Sequence, residues 1–264
     1  TVTLSEITSI SINGENQSIS TSHNLYVDEY NGILYALGSQ EVNSKPGRKM
    51  NKHPKKRHPS SGDNYIFTLK PISDNQNTQN ATAGNPVFIK YHQIYFHDLC
   101  TYTYTNTSKT YAFASGEENG IYIIDVTDPL NWVTKYTLTD YDMLNGAGYL
   151  HQIWPSTDGR YIFANDEFLT TNTIIVYDLG NDPGSSVPNI VTFDSDGIVS
   201  DGGSNWSNGQ NSTNHNLYVH QINGIDYIFH SCYKTGLRLH KIYRDTDSNI
   251  ISIKENGYFD TYYQ

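Results

Sequence analysis

Four histidines stand at equivalent places in four similar stretches of the sequence: His23 in SHNLYV, His97 in FHDLC, His151 in LHQIW and His215 in NHNLYV. Each is followed by Asn, Asp or Gln and then by an apolar, aromatic run. Neutral imidazoles that converge on one axis are ligands for a first-row transition ion such as zinc or copper. The repetition also follows if each histidine bonds backbone at the start of a strand, with its polar neighbour doing the same on the opposite side. Sequence leaves both readings open.

Carboxylates gather in SGEEN, as Glu117 and Glu118, and in ANDEF, as Asp166 and Glu167. With nearby carbonyls these groups offer the oxygen ligands that calcium takes, although neither stretch follows an EF-hand loop, and solvation of a turn explains them equally. Neighbours on a strand point to opposite faces, so neither pair supplies the facing acid and base of a glycosidase. No Gly-x-Ser-x-Gly elbow, phosphate loop or His-Glu-x-x-His occurs. His220, His230 and His240 fall on successive strands or turns of the last stretch and read as packed or exposed residues. The 22 tyrosines suit core packing and, on a surface, glycan or protein recognition.

The elements that position these residues come from a repeat. Each histidine opens a strand, a turn follows, and a second strand returns; a third appears as YIFTLKPIS, GIYIIDVTDP, NTIIVYDLGND or GLRLHKIYRD. A fourth closes each set as PVFIKYHQI, WVTKYTLTD, NIVTFDSD or IISIKENGYFDTYY. Short strands rich in Val, Ile, Tyr and Thr between Gly, Asn, Asp and Pro turns leave no helical period. Four strands per repeat predict an all-β chain, a β-propeller of four-stranded antiparallel blades. The expectation is one domain over 1–264, with blades at 22–94, 95–141, 149–197 and 214–263 and a basic insertion at 43–62.

That insertion holds seven of the 17 Lys and Arg residues between Lys45 and Pro59, so a net charge of −10 becomes −17 for the remainder, 10 basic against 27 acidic groups. An acidic body lacks the continuous basic face that nucleic acid requires. No apolar run reaches the roughly 20 residues of a membrane-spanning helix. Sequons at Asn16, Asn80, Asn106, Asn205 and Asn211 suit an extracellular glycoprotein. Two cysteines, Cys100 and Cys232, allow one bridge or two buried thiols.

Taken in order, SHNLYV, FHDLC, YLHQIWPSTDGRYIFANDEF, NHNLYV, TGLRLHKI and GYFDTY resemble the choice-of-anchor B family, and IYIIDVTDP and IIVYDLGND are similar to the LVIVD strand of its propeller repeats. The resemblance runs from Ser22 to Tyr262. It implies a secreted or surface-displayed propeller held outside the cell by varying anchors, and it implies no established reaction, cofactor or substrate. Members carry a further blade before the first motif and a partial blade after the last. The chain is thus expected to be a trimmed fragment, a proteolytic product or a propeller closed with fewer blades.

These readings converge on a non-catalytic, secreted, structural or adhesive propeller that associates with itself, with other surface proteins or with glycans, as a filament or array. Its alternatives are a metal-binding protein or metal-dependent enzyme using the repeated histidines, and a carbohydrate-binding module.

Overall fold

The computed structural model describes residues 10–12, 15–17, 19–41, 63–68, 88–91, 95–129, 131–139, 149–167, 174–191, 214–233, 235–244 and 251–259. All regular structure among them is antiparallel β, and no helix occurs among the described residues. The basic insertion and the sequons at Asn80, Asn205 and Asn211 lie outside them. Asn106 sits exposed in a hairpin turn, where its side chain is accessible. The chain divides into two compact units, Thr1–His97 and Asp98–Gln264.

In the first unit, β1 (Ile10–Ile12) pairs with β2 (Glu15–Gln17), and β3 (Ile19–Thr21), β4 (Asn24–Asp28), β5 (Ile33–Glu41), β6 (Asp63–Thr68) and β7 (Phe88–Tyr91) form one sheet. The nine-residue β5 is long enough to pair with β4 along its first half and β3 along its second, so this sheet has five strands where four were expected. Gly38 lies between the two pairings at φ 54, and the Tyr95 ring stands 2.6 Å from where a Cβ would project. Only glycine meets both conditions without strain.

The second unit holds three successive four-stranded meanders. They are β8 (Asp98–Tyr104), β9 (Lys109–Ser115), β10 (Ile121–Asp125) and β11 (Val133–Leu138); β12 (Leu150–Pro155), β13 (Tyr161–Asp166), β14 (Ile174–Asp178) and β15 (Asn189–Ile190); and β16 (Asn214–Ile222), β17 (Ile225–Cys232), β18 (Gly236–Arg244) and β19 (Ile251–Phe259). Each meander pairs its strands in chain order, and β12 lies against β8 and β9 on one side and β16 on the other. First strands of consecutive meanders side by side are the packing of propeller blades, and the protein is an all-β propeller.

The alternating side chains of these sheets interlock across the blade junctions. Tyr161, Phe163, Ile174 and Val176 of the third sheet bury against Leu217, Val219, Ile228 and Ile242 of the fourth. A polar seam runs beside that core: Arg244 pairs with both Asp158 and Asp226, and the Thr157 hydroxyl donates to Asp226. Between the second and third sheets, Tyr104 donates to the carbonyl of Gly159 at 2.5 Å. Gly159, at φ 73, leaves room for the Tyr102 ring 2.3 Å from its missing Cβ.

Cys100 and Cys232 are buried, and no disulfide joins them. The Cys100 thiol donates to the carbonyl of Ile153 at 3.3 Å, and burial, then the nearby Asp98 charge, pushes it well above its ordinary range. A buried thiol of this kind packs as a small apolar group.

Candidate metal centre

The third and fourth sheets begin irregularly, and the irregularities fall on histidines. Leu150 pairs with Asp166 but Gln152 with Asn165, which leaves His151 as an extra residue on β12. Asn214 pairs with Cys232 but Leu217 with His230, which places His215 inside a second bulge on β16. A bulge takes one side chain out of the regular alternation and gives it a new direction. These two bring His151 and His215 together, with ring centroids 4.3 Å apart.

Backbone groups released by the bulges are met by amide side chains. Asn165 Oδ1 accepts the Gln152 N–H at 3.0 Å, and Asn165 Nδ2 donates to the carbonyl of His215 at 2.8 Å. Gln152 Oε1 in turn accepts the Leu217 N–H at 2.5 Å, and Asn214 Nδ2 donates to the carbonyl of Asp166 at 3.3 Å. Buried amides engaged in this way lock a local geometry, because many other arrangements leave polar groups dry and unpaired. The Gln that follows His151 thus bonds backbone on the neighbouring blade, whereas the side chains of Asn24 and Asp98 each accept the N–H of the residue that follows.

Glu167 completes a cluster. Its N–H donates to the carbonyl of Tyr149, continuing the β12–β13 ladder by one step, and its Oε2 stands 3.9 Å from His151 Nε2. One ligand atom from each of His151, Glu167 and His215 lies within 4.8 Å of the others. A tetrahedral ion with bonds of about 2.0–2.1 Å holds its ligand atoms about 3.3 Å apart, so side-chain rotation of under an ångström or so closes the set. The nitrogen and carboxylate donors suit zinc or copper better than a hard cation.

Tyr233 supports the carboxylate. Its hydroxyl donates to Glu167 Oε1, and its ring meets His215 edge-on with centroids 5.1 Å apart. Burial, then that hydrogen bond, pushes the Tyr233 phenol up to about 12. A partner of this type orients a ligating carboxylate. Sequence reading missed Tyr233, although the repeat marks it: Leu150 pairs with Asp166 as Asn214 pairs with Cys232, so Glu167 and Tyr233 occupy the same place in successive sheets.

The other singled-out residues have different surroundings. Asp166 is buried with Oδ2 accepting the Tyr149 N–H at 2.9 Å, and Glu117 is buried with Oε1 accepting the Tyr149 hydroxyl at 2.5 Å, while Glu118 is exposed. Neither adjacent pair points its two carboxylates at one place. In the first unit, His23 and His97 also meet, with centroids 4.2 Å apart, and His23 packs against Tyr95 at 6.3 Å. There the histidines stand just before β4 and β8, outside any bulge, and the His23 N–H bonds the carbonyl of Leu37 at 2.8 Å.

His220 is exposed, whereas His230 and His240 are fully buried with ring centroids 5.7 Å apart. Neither ring nitrogen of either residue meets a hydrogen-bond partner among the described residues. Burial first, then the charge of the adjacent Arg238, lowers His240 to about 4; burial, then His240 and Arg238, lowers His230 to about 3.

No protein-family description matches the chain, and no curated protein matches it. Several solved structures are similar at low identity. A Lactobacillus plantarum protein shares 12% identity at a TM-score of 0.47, over 88% of this chain and 56% of that one. Kluyveromyces lactis Hsv2 shares 12% at 0.46, over 93% and 63%, and the periplasmic gluconolactonase of Pseudomonas aeruginosa 10% at 0.39, over 88% and 71%. The chain thus spans little more than half of the first of these, and the fold assignment rests on the strand pairing described above.

Proposed function

We propose that this chain is an extracellular, glycosylated surface propeller that binds one transition-metal ion, zinc or copper, at His151, Glu167 and His215. The observation that carries the reading is the convergence of two bulged histidines and one carboxylate, backed by Tyr233 and by the amides of Gln152 and Asn165. The accessible sequon at Asn106 and the resemblance to choice-of-anchor B proteins support a location outside the cell, where the protein serves in structure or adhesion.

Calorimetric titration of the intact, metal-stripped protein with zinc and with copper tests the site. One equivalent is expected to bind and to be lost in His215→Ala, whose side chain is only half buried. Unchanged binding in that variant contradicts the assignment. A metal-dependent hydrolase is a second reading with one observation in its favour: three protein ligands leave a fourth tetrahedral position for water, as in catalytic zinc sites. Zinc-dependent hydrolysis of an activated ester that disappears in His215→Ala supports it, and identical rates in both proteins remove it.

A further inference from the structure

The fourth sheet buries two imidazoles that the centre at His151, Glu167 and His215 does not use. Alternation along β17 and β18 puts Ile228, His230, Arg238, His240 and Ile242 on one face, the face whose isoleucines pack on Phe163 and Val176 of the third sheet. His230 lies opposite Arg238, and His240 opposite Ile228, so the two rings are diagonal neighbours across one strand pair. Both residues are 0% exposed.

A neutral imidazole carries one donor and one acceptor nitrogen. None of the four nitrogens meets a hydrogen-bond partner among the described residues. Burying a polar group forfeits its hydration unless another partner replaces the water, and two such rings side by side point to a shared occupant.

Spacing favours an ion over a water molecule. Imidazoles that share one ion through bonds of about 2.0 Å stand with ring centroids about 5.5 Å apart for bonds at 120° and about 6.3 Å apart for a linear pair. A bridging water, with hydrogen bonds of about 2.9 Å, holds them about 6.5 Å apart. The centroids of His230 and His240 are 5.7 Å apart.

Charge and ligand number select the ion. The Arg238 guanidinium beside the pair is already offset by Glu255, Nη1 to Oε2 at 2.9 Å. Among the described residues, no further His, Cys, Asp or Glu completes a trio of ligands with the pair. Zinc requires four ligands and would carry two uncompensated charges into an apolar junction. Copper(I) carries one charge, suits imidazole and accepts two ligands. Burial keeps both rings neutral, so each has a lone pair to offer.

We propose that His230 and His240 hold one copper(I) ion inside the fourth sheet, at a site separate from His151, Glu167 and His215. Competition with bicinchoninate under anaerobic, reducing conditions tests this on His215→Ala, which removes the first centre, and on the same protein with His240→Leu added. Each is refolded from urea with copper(I) present, because the site is closed to solvent, and circular dichroism verifies folding. One equivalent is expected in His215→Ala, with affinity about 100-fold or more lower once His240 is replaced. X-ray absorption of the loaded His215→Ala protein gives a reading that does not depend on the second variant folding: two nitrogen neighbours and no sulfur are expected. Equal retention with and without His240, no retained copper, or sulfur or four-fold ligation at the ion overturns the proposal. Zinc binding by the native protein tests the first centre alone, so either site can fail without the other.

Discussion

His23 with His97 and His151 with His215 arise from the same sequence motif, and both pairs bring their rings to about the same separation, 4.2 and 4.3 Å. They differ in everything around the rings. The second pair sits in two β-bulges, faces Glu167 and is backed by Tyr233; the first stands before regular strands, with Tyr95 filling the space beside His23. In the first sheet Ser39 takes the place that Glu167 holds in the third, and its hydroxyl is bonded to Ser22 and to the carbonyl of Ala36. On the proposed reading, one repeated histidine packs in one place and ligates in another, and the carboxylate beside the second pair makes the difference.

The sharpest way to break this contrast is to remove imidazoles from each pair in turn. His151→Ala or His215→Ala is expected to weaken zinc binding about 100-fold or more, since a three-ligand site that loses one nitrogen keeps only a chelating pair. His23→Ala is expected to leave that affinity within about twofold. Equal losses in both units, read by competition with a chromophoric chelator, would put the metal elsewhere.

Glu167→Gln keeps the shape but removes the charge, and a loss of about 10- to 100-fold is expected in the same assay, as for other orienting and ligating groups. For the first pair the corresponding test is of stability. Gly38→Ala forces a Cβ toward the Tyr95 ring at positive φ and is expected to cost about 1–3 kcal/mol in urea unfolding, with zinc binding unaffected. A neutral outcome would show that the Tyr95 packing is dispensable.

Acid titration extends the comparison to His230 and His240. Their folded-state values are depressed below the ordinary imidazole value of about 6.5. The unfolded chain therefore binds more protons, and the stability contributed above about pH 6.5 is lost progressively as pH falls toward 4 and then 3. Urea midpoints are expected to fall through this window, and His240→Leu is expected to flatten the slope. The smallest effect belongs to Tyr233→Phe, which leaves the ring against His215 and removes only the hydroxyl on Glu167. Zinc affinity is expected to drop a few-fold, with no loss of folding.

The architecture was legible because repetition reports it directly. Each of the four proposed sets contains its four strands, even where the closing strand is as short as Asn189–Ile190. The fifth strand of the first sheet was not legible, since nothing in ILYALGSQE announces that one strand will serve two partners. His151, His215 and Glu167 were each visible as residues, but under separate headings, Glu167 being grouped with Asp166 for calcium. The bulges that aim His151 and His215 depend on inter-strand register, a property of paired strands that a single run of residues does not display. Tyr233 was hidden for the same reason. The buried His230 and His240 came from an alternation whose covered face is fixed by the third sheet, outside their own stretch.

Cobalt(II) titration of the intact, metal-stripped protein, followed by visible absorbance beside Glu167→Gln and His215→Ala, tests the metal centre most directly. Nitrogen and carboxylate ligation in a four-coordinate site is expected to give intense visible bands that saturate at one equivalent, weaken in Glu167→Gln and vanish in His215→Ala. A native protein without such bands, or bands of full intensity in His215→Ala, would contradict the account.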